Sequence, residues 1–376
     1  MDRMEAEDFS LFGLLGRSWE LDTPVVDLAF DNSDGAVAFT LADGSVAIAK
    51  TKDAEPAAKR IRISAEDGRS SILPRTKPLP PVTRISVQDD TPVALSAYGK
   101  HGFVIGEASG ALTSLTIGGE RTPFSKPLNA PIIALEHAPK TGDLASVTAD
   151  HRVILIRRGE IEPMVLEHTT NVGTLAFSPD GSQLAVAGEE HVTLWKIDQT
   201  PEKLIELGPC ENPLSLAWSP DQAKLALGLE KAGVTVWQLD SRDHITFPDY
   251  PAPIRTLAWT ADSEVLATSG AFRIIAWPLD KWRTNGMHPT SLESGKPSLA
   301  AVEALACHPT RALIAAGYEN GMLIIAQLRK SDELVIKTEG QGANGSLQWS
   351  HDAGYIAIGS SKGLAAIIEL PKQVFK

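Results

Sequence analysis

Short apolar runs separated by polar, turn-forming clusters recur along almost the whole chain. In the clearest stretch, Leu175 to Asp198 reads LAFSPDGSQLAVAGEEHVTLWKID, and Leu216 to Asp240 repeats it as LAWSPDQAKLALGLEKAGVTVWQLD. SPDG predicts a turn, because Pro179 presets φ, Asp180 can hydrogen-bond the nearby chain and Gly181 tolerates positive φ. Leu184 to Ala187 is a second apolar run and Glu189-Glu190-His191 a second turn. Val192-Thr193-Leu194-Trp195 then reads as a β-branched and aromatic strand.

The rhythm starts eight times: at Val25 to Phe30, Pro92 to Ala97, Pro131 to Leu135, Val172 to Phe177, Pro213 to Trp218, Ile254 to Trp259, Val302 to Cys307 and Gly345 to Trp349. Second and third strands follow each start, as in AVAFTLADGSVAIA and YIAIGSSKGLAAII. The spacing is about 40 to 42 residues, except where extra sequence follows the third strand of the first and sixth copies. A period near forty with four short strands per unit predicts an all-β chain, folded over residues 1–376 as a single closed β-propeller. Eight four-stranded blades are expected; seven is the alternative, if the weak second copy is an ornament on the first. The last copy stops after its third strand at Leu364 to Leu370, while Ser18-Trp19-Glu20-Leu21 lies unused. Residues 16–22 are therefore expected to supply the missing outer strand and close the ring. Residues 51–81 form an insertion in blade 1, and 281–296 an extended loop in blade 6.

The runs LAFSPDG, LAWSPD, VTLWKID and VTVWQLD resemble WD40 repeats, and His168-Thr169-Thr170-Asn171-Val172 resembles that family's blade entry. The repeats degenerate away from copies four to six, and the chain reads as a bacterial-type member. The resemblance implies structural roles for Trp19, His168, Trp195, Trp218, Trp237, Trp259 and Trp277. WD40 blades often hold a buried network of His, Ser, Asp and Trp. Copy four keeps His168 and Trp195 but has Ala187 and His191 near the Ser and Asp positions, so these blades are expected to rely more on apolar packing.

Composition adds exclusions. With 43% hydrophobic and 22% charged residues and no apolar run of bilayer-spanning length, the chain is not expected to be an integral membrane protein. The opening MDRMEAEDFSLFGLLG is acidic where a secretory signal is basic, and Cys210 and Cys307 give no disulfide framework. These features point to a cytoplasmic monomer. A formal charge of -12 argues against nucleic-acid binding, which needs a surface that displaces counterions from phosphates. One segment dissents: Lys52 to Arg84 carries eight basic and four acidic residues.

The search for chemistry yields little. No GxSxG nucleophile elbow, a serine on a strand-to-helix turn, is identified, and HExxH and the GxxxxGK[ST] phosphate loop are missing from the sequence. Gly340, Gly342 and Gly345 spell GxGxxG, but between two strands and with no helix to follow. Cys307 reads as a small buried hydrophobe and Cys210 as partly exposed and idle. His151 and His191 read as solvated turn residues, with His168 structural. No catalytic residue, metal ligand or cofactor is assigned.

Two surfaces remain as candidates. Asp89, Asp90, Asp150, Glu189, Glu190, Glu211, Glu230, Asp249 and Glu319 map to loops that, in the WD40 resemblance, share the top face. A ring of like charge there would attract a basic partner. Lys59, Arg60, Arg62 and Arg75 in the insertion, with Trp282 and Arg283 in the blade 6 loop, belong to the opposite face. The favoured function is a non-enzymatic scaffold or adaptor binding one or more proteins. Two others stand beside it: a propeller enzyme, metal-dependent or carboxylate-based, in the central channel, and a small-ligand or metal-responsive binding protein.

Overall fold

The computed structural model describes residues 10–63, 70–86, 91, 93–168, 171–231, 233–280, 282 and 289–371. Eight four-stranded antiparallel sheets follow one another along the chain, and a two-stranded hairpin, Ile61–Ile63 with Ser70–Ile72, stands outside them. The first strands of successive blades touch one another all round, and that of blade 8 touches that of blade 1, so the ring is closed. The second copy makes its own four-stranded sheet, and the seven-blade alternative falls. Among the described residues no helix is long and apolar enough to cross a membrane.

The composition of the strands follows from their place in a blade. Second strands such as Ala36–Leu41 (AVAFTL) and Lys224–Leu229 (KLALGL) are buried along their whole length, because neighbouring blades cover both faces of the sheet. A fully covered strand reads as a continuous apolar run rather than an alternation. The core accordingly lies between blades. Ala185, Val192 and Leu194 of blade 4 share one cluster with Leu225, Leu227 and Trp237 of blade 5.

The last residue of a first strand repeatedly reaches back to the preceding blade. Trp218 Nε1 donates to Ala176 O at 3.0 Å, Trp259 Nε1 to Ala217 O at 3.2 Å, and Trp349 Nε1 to Ala306 O at 3.0 Å. The Cys307 thiol does the same to Ala258 O at 3.5 Å. Where the chain ends meet, the bond is reversed: Gln348 Oε1 of blade 8 accepts from Phe30 N of blade 1 at 3.0 Å.

The turns between first and second strands are clamped by a hydroxyl and a carboxylate two residues apart. Ser178 Oγ donates to Asp180 at 2.7 Å, Ser219 to Asp221 at 2.6 Å, Thr260 to Asp262 at 2.5 Å and Ser350 to Asp352 at 2.7 Å. In SPDG, Gly181 has φ 77°, and a Cβ there would sit 2.8 Å from Thr141 Cγ2 of the neighbouring turn.

Three local readings change. The first strand of blade 6 is only Leu257–Trp259, because Ser269 Oγ accepts from Arg255 N and Thr256 N in place of the ladder. In blade 4, Ala187 faces away from Trp195; Val186 pairs with Thr193, which holds His168 at 3.2 Å, and Trp195 Nε1 has no hydrogen-bond partner. Among the described residues, the His168–Thr193 hydrogen bond stands in place of a His, Ser, Asp and Trp network. The cysteines exchange roles: Cys210 is 5% exposed and donates to Gly188 O, while Cys307 is half-buried. Desolvation pushes both thiols up, to about 11 and about 12 respectively, which leaves them unreactive near neutral pH.

Blade 8 is completed from the other end of the chain. Gly16–Glu20 pairs antiparallel with Leu364–Glu369, in register Gly16 with Ile368 through Glu20 with Leu364. Helix α1 (Leu11–Leu15), capped by Ser10 Oγ on Gly13 N, leads into this strand.

Trp237, 2% exposed, is the largest fully buried side chain, and Trp237→Ala is expected to cost about 3–5 kcal/mol. Trp259→Phe, which keeps an aromatic ring but loses the pyrrole part of the indole and the bond to Ala217 O, should cost about 1–2 kcal/mol. Denaturant unfolding of both variants checks the order, and equal midpoints would contradict it.

Candidate functional site

In each blade the loop entering the first strand and the turn between second and third strands emerge together, and backbone bonds fix the one to the other. Glu189 N donates to Asn171 O at 3.0 Å, Glu230 N to Asn212 O at 3.2 Å, and Glu319 N to Ala301 O at 2.9 Å. In blades 4 and 5 the side chains repeat the link. Asn171 Nδ2 donates to Glu189 and Asn212 Nδ2 to Glu230, each at 3.1 Å and each across 18 residues. An exposed glutamate is thereby held on a rigid turn with one oxygen engaged.

Three clefts run across the tops of blades 3, 4 and 5. One of about 590 Å³ lies among Glu189, Glu190, His191, Glu206 and Glu211, over Pro209 and Cys210. A second of about 340 Å³ lies among His151, Asn171, Glu189, Asn212 and Glu230, with Leu214 on its wall. A third of about 510 Å³ lies among Asp150, His151, Glu167 and His168. Shared residues join them, Glu189 between the first two and His151 with Asn171 between the last two. Among the described lining residues the only lysine or arginine is Arg152, and its Nε is already engaged by Asp150 at 2.8 Å. Thr148 and Arg152 hold the Asp150 carboxyl below its ordinary range, and the Lys203 ion pair does so for Glu206.

The clefts bring together Asp150, Glu189, Glu190, Glu211 and Glu230 of the expected top-face set. Asp249 and Glu319 are exposed but line none of the three, and Asp89 and Asp90 lie outside the described residues. Sequence reasoning missed Glu167, Glu206 and the two asparagines; the recurrence of Asn ahead of VGTLAF and PLSLAW was the available signal. His191 is not a solvated turn residue. Its side chain is 17% exposed, 3.4 Å from Glu206, and its ring stacks on His168 at 5.5 Å. Among the described residues no three His, Cys, Asp or Glu side chains form a metal-holding group. The GxGxxG loop is strapped down by its neighbours, with Lys337 Nζ donating to Gly321 O at 2.9 Å and Gly340 O at 2.7 Å.

On the opposite side the basic insertion divides. Lys59 and Arg62 are exposed, whereas Arg60 is 6% exposed and donates to Leu73 O and Leu14 O. Arg75 is half-buried and paired with Asp53. Trp282 packs against the apolar cluster that holds Phe247, Trp259 and Trp277, and Arg283 lies outside the described residues. The tryptophans expected to be structural are buried or half-buried. Trp277 stacks on Phe247 at 3.8 Å and donates to Tyr250 OH at 2.7 Å, and Trp19 donates to Pro80 O at 2.9 Å.

Comparison with known proteins finds one recognisable repeat. Residues 162–196 match the family described as "WD domain, G-beta repeat". That segment contains His168, Asn171, the SPDG turn and Trp195. The chain is an eight-bladed β-propeller with a WD40 repeat in blade 4. Two proteins named "Protein LST8 homolog" are similar to it. The one from Drosophila pseudoobscura pseudoobscura is 30% identical over 102 residues, 26% of this chain and 32% of its own. The one from Drosophila melanogaster is 31% identical over 102 residues, 26% and 33% of the respective chains. The match spans about a third of the length of these relatives, and nothing in it supports a bacterial-type label. Among solved structures, the crystal structure of the computationally designed Ika8 protein superposes with a TM-score of 0.68 over 93% of this chain and 98% of its own. At 16% identity this is a likeness of fold alone.

The first strands carry further carboxylates. Glu136 in blade 3 is half-buried and is pushed up to about 7 by desolvation and by the charge of Asp27, which stands exposed on the first strand of blade 1. A carboxyl raised in the folded state binds its proton more tightly there, so stability is full below the unfolded value near 4.5 and falls as pH rises to about 7. Glu136→Gln is therefore expected to match the parent at pH 4 and to exceed it by about 1–2 kcal/mol at pH 8. Unfolding at the two pH values checks this, and a variant weaker than the parent at pH 8 would refute it.

Proposed function

We propose that this propeller is a non-enzymatic scaffold that docks a protein with a basic surface on the tops of blades 3 to 5, and that it does so as a cytoplasmic monomer. The joined clefts carry the reading: carboxylates line them, and the single lining guanidinium is already paired. Such an array raises the encounter rate of a cationic partner and selects against an anionic one. Rigidity favours docking over chemistry here. Glu189 and Glu230 are each tied to an asparagine, so little side-chain entropy is lost on binding.

Leu214, 37% exposed, lines the second cleft with Glu189 and Glu230 and adds an apolar contact there. A lysine or arginine side chain fits that setting, with its methylenes on the leucine and its head between the carboxylates. Asp150, Glu190 and Glu211 extend the field along the clefts, while Asp249 and Glu319 would act as an outer rim. Lys59 and Arg62 give the opposite face a second, weaker surface of the other sign.

Affinity purification with the parent, with Glu189→Lys/Glu230→Lys and with Lys59→Glu/Arg62→Glu tests the assignment. Near-physiological salt should recover a stoichiometric basic protein with the parent and the insertion variant. The top-face variant should bind it at least about tenfold more weakly, with a smaller dependence on salt. Equal recovery by all three would remove the top face as the docking site, and recovery of no partner by the parent would remove the scaffold reading itself.

A further inference from the structure

The insertion in blade 1 is built into the joint where the ring closes. Helix α2 (Ala57–Arg60) begins against the last strand of the chain, with Glu369 accepting from Ala57 N at 2.7 Å and Ala58 N at 3.3 Å. At the other end of α2, the buried Arg60 holds the carbonyls of Leu73, in the insertion, and of Leu14, in the helix that leads to the closing strand. The closing strand reaches back. Arg17, 4% exposed, donates to Lys50 O at 2.9 Å and Thr51 O at 2.7 Å, where the insertion leaves its blade. Trp19 donates to Pro80 O, where the insertion returns. Asp53 lies between Arg17 and Arg75. Leu15 and Ala57 are buried in one apolar cluster with Ile336 and Ile368, and Leu11, Phe12 and Ile72 pack against it.

We infer that the insertion is the keeper of the closed ring: the strand Gly16–Glu20 and the insertion leave the propeller as one unit, and the strand does not unpair while the insertion stays docked. Both polar ends of the insertion and its apolar side are spent on residues 11–20 or on the strand they pair with. A displaced insertion takes Asp53 from Arg17, Pro80 O from Trp19 and Arg60 from the Leu14 carbonyl at once. Leaving the buried Arg17 without its counter-charge is what couples the two releases. The device is independent of the top-face docking proposal, since it involves blades 1, 7 and 8 only.

Amide exchange followed by mass spectrometry reads the coupling directly. In Arg60→Ala, residues 16–20 and 364–369 are expected to exchange at least about tenfold faster than in the parent, together with 57–62, while blades 3 to 5 keep parental protection. Lys126→Ala, which breaks an exposed pair with Glu162 away from the seam, should leave all of these segments unchanged. Glu369→Gln is a gentler lesion at the α2 cap; it should raise the same segments by a smaller common factor, and it supplies the comparison if Arg60→Ala does not fold. Faster exchange in 57–62 with parental protection of 16–20 would overturn the inference. So would a uniform rise throughout the ring.

Discussion

A four-stranded blade with two apolar faces is not stable alone, and every other feature of this molecule answers that constraint. Each sheet must be covered on both sides, each cover is another such sheet, and the only arrangement that leaves none uncovered is a closed ring. This is why the cores lie between blades, why second strands such as AVAFTL carry no polar alternation, and why the indoles of Trp218, Trp259 and Trp349 bridge to the blade before their own. An indole is suited to that place, since it covers a wide apolar area and still carries one donor for a backbone carbonyl.

The two faces of the ring then divide the work. Turns between first and second strands satisfy themselves internally through Ser178–Asp180, Ser219–Asp221, Thr260–Asp262 and Ser350–Asp352, and they bond to adjacent turns, as Asp221 N does to Ser263 Oγ at 2.9 Å. Their carboxylates are consumed by structure. On the other face the turns are fixed by backbone bonds and by the two asparagines, so Glu189, Glu190 and Glu230 are held in position with charge to spare. The same residue type serves stability on one face and is available for recognition on the other, and its neighbours decide which.

That division explains what was legible in the sequence. Blade number, strand order and the closing strand could be read because they rest on period and turn chemistry, which are local. Carboxylates on the top loops could be named, but their assembly into joined clefts could not, since it depends on Glu167 and Glu206 from outer strands and their flanks. Composition misled where burial depends on a neighbouring blade: GPCENP looks like an exposed loop, yet Cys210 lies 5% exposed against Trp218 and Leu229. It misled again in KRIRI, where alternate charges suggested a recognition segment. Arg60 turns inward there to hold two carbonyls, while Arg62, two residues on, stays in solvent.

The seam between blades 8 and 1 differs from the others in kind. Elsewhere each blade is built from one continuous stretch of chain. Here blade 8 takes its outer strand from the other end of the chain, residues 21–24 carry that strand into blade 1, and Phe30 offers no indole, so the joint rests on the pairing of Gly16–Glu20 with Leu364–Glu369. Further bonds support it: Gln348 takes the Phe30 amide, and Asp34 accepts from His351 N at 3.0 Å and Asp352 N at 2.9 Å. Arg17 ties the closing strand to the end of the third strand of blade 1, and Glu369 caps α2. Pairing strands that follow one another in sequence closes only short loops, whereas pairing the two ends of the chain must offset the freedom of both. Insertions are tolerated at many surface turns, but one that follows the third strand of blade 1 is the nearest to the terminal strand. Its place in the sequence and its role at the seam are therefore the same fact seen at two levels.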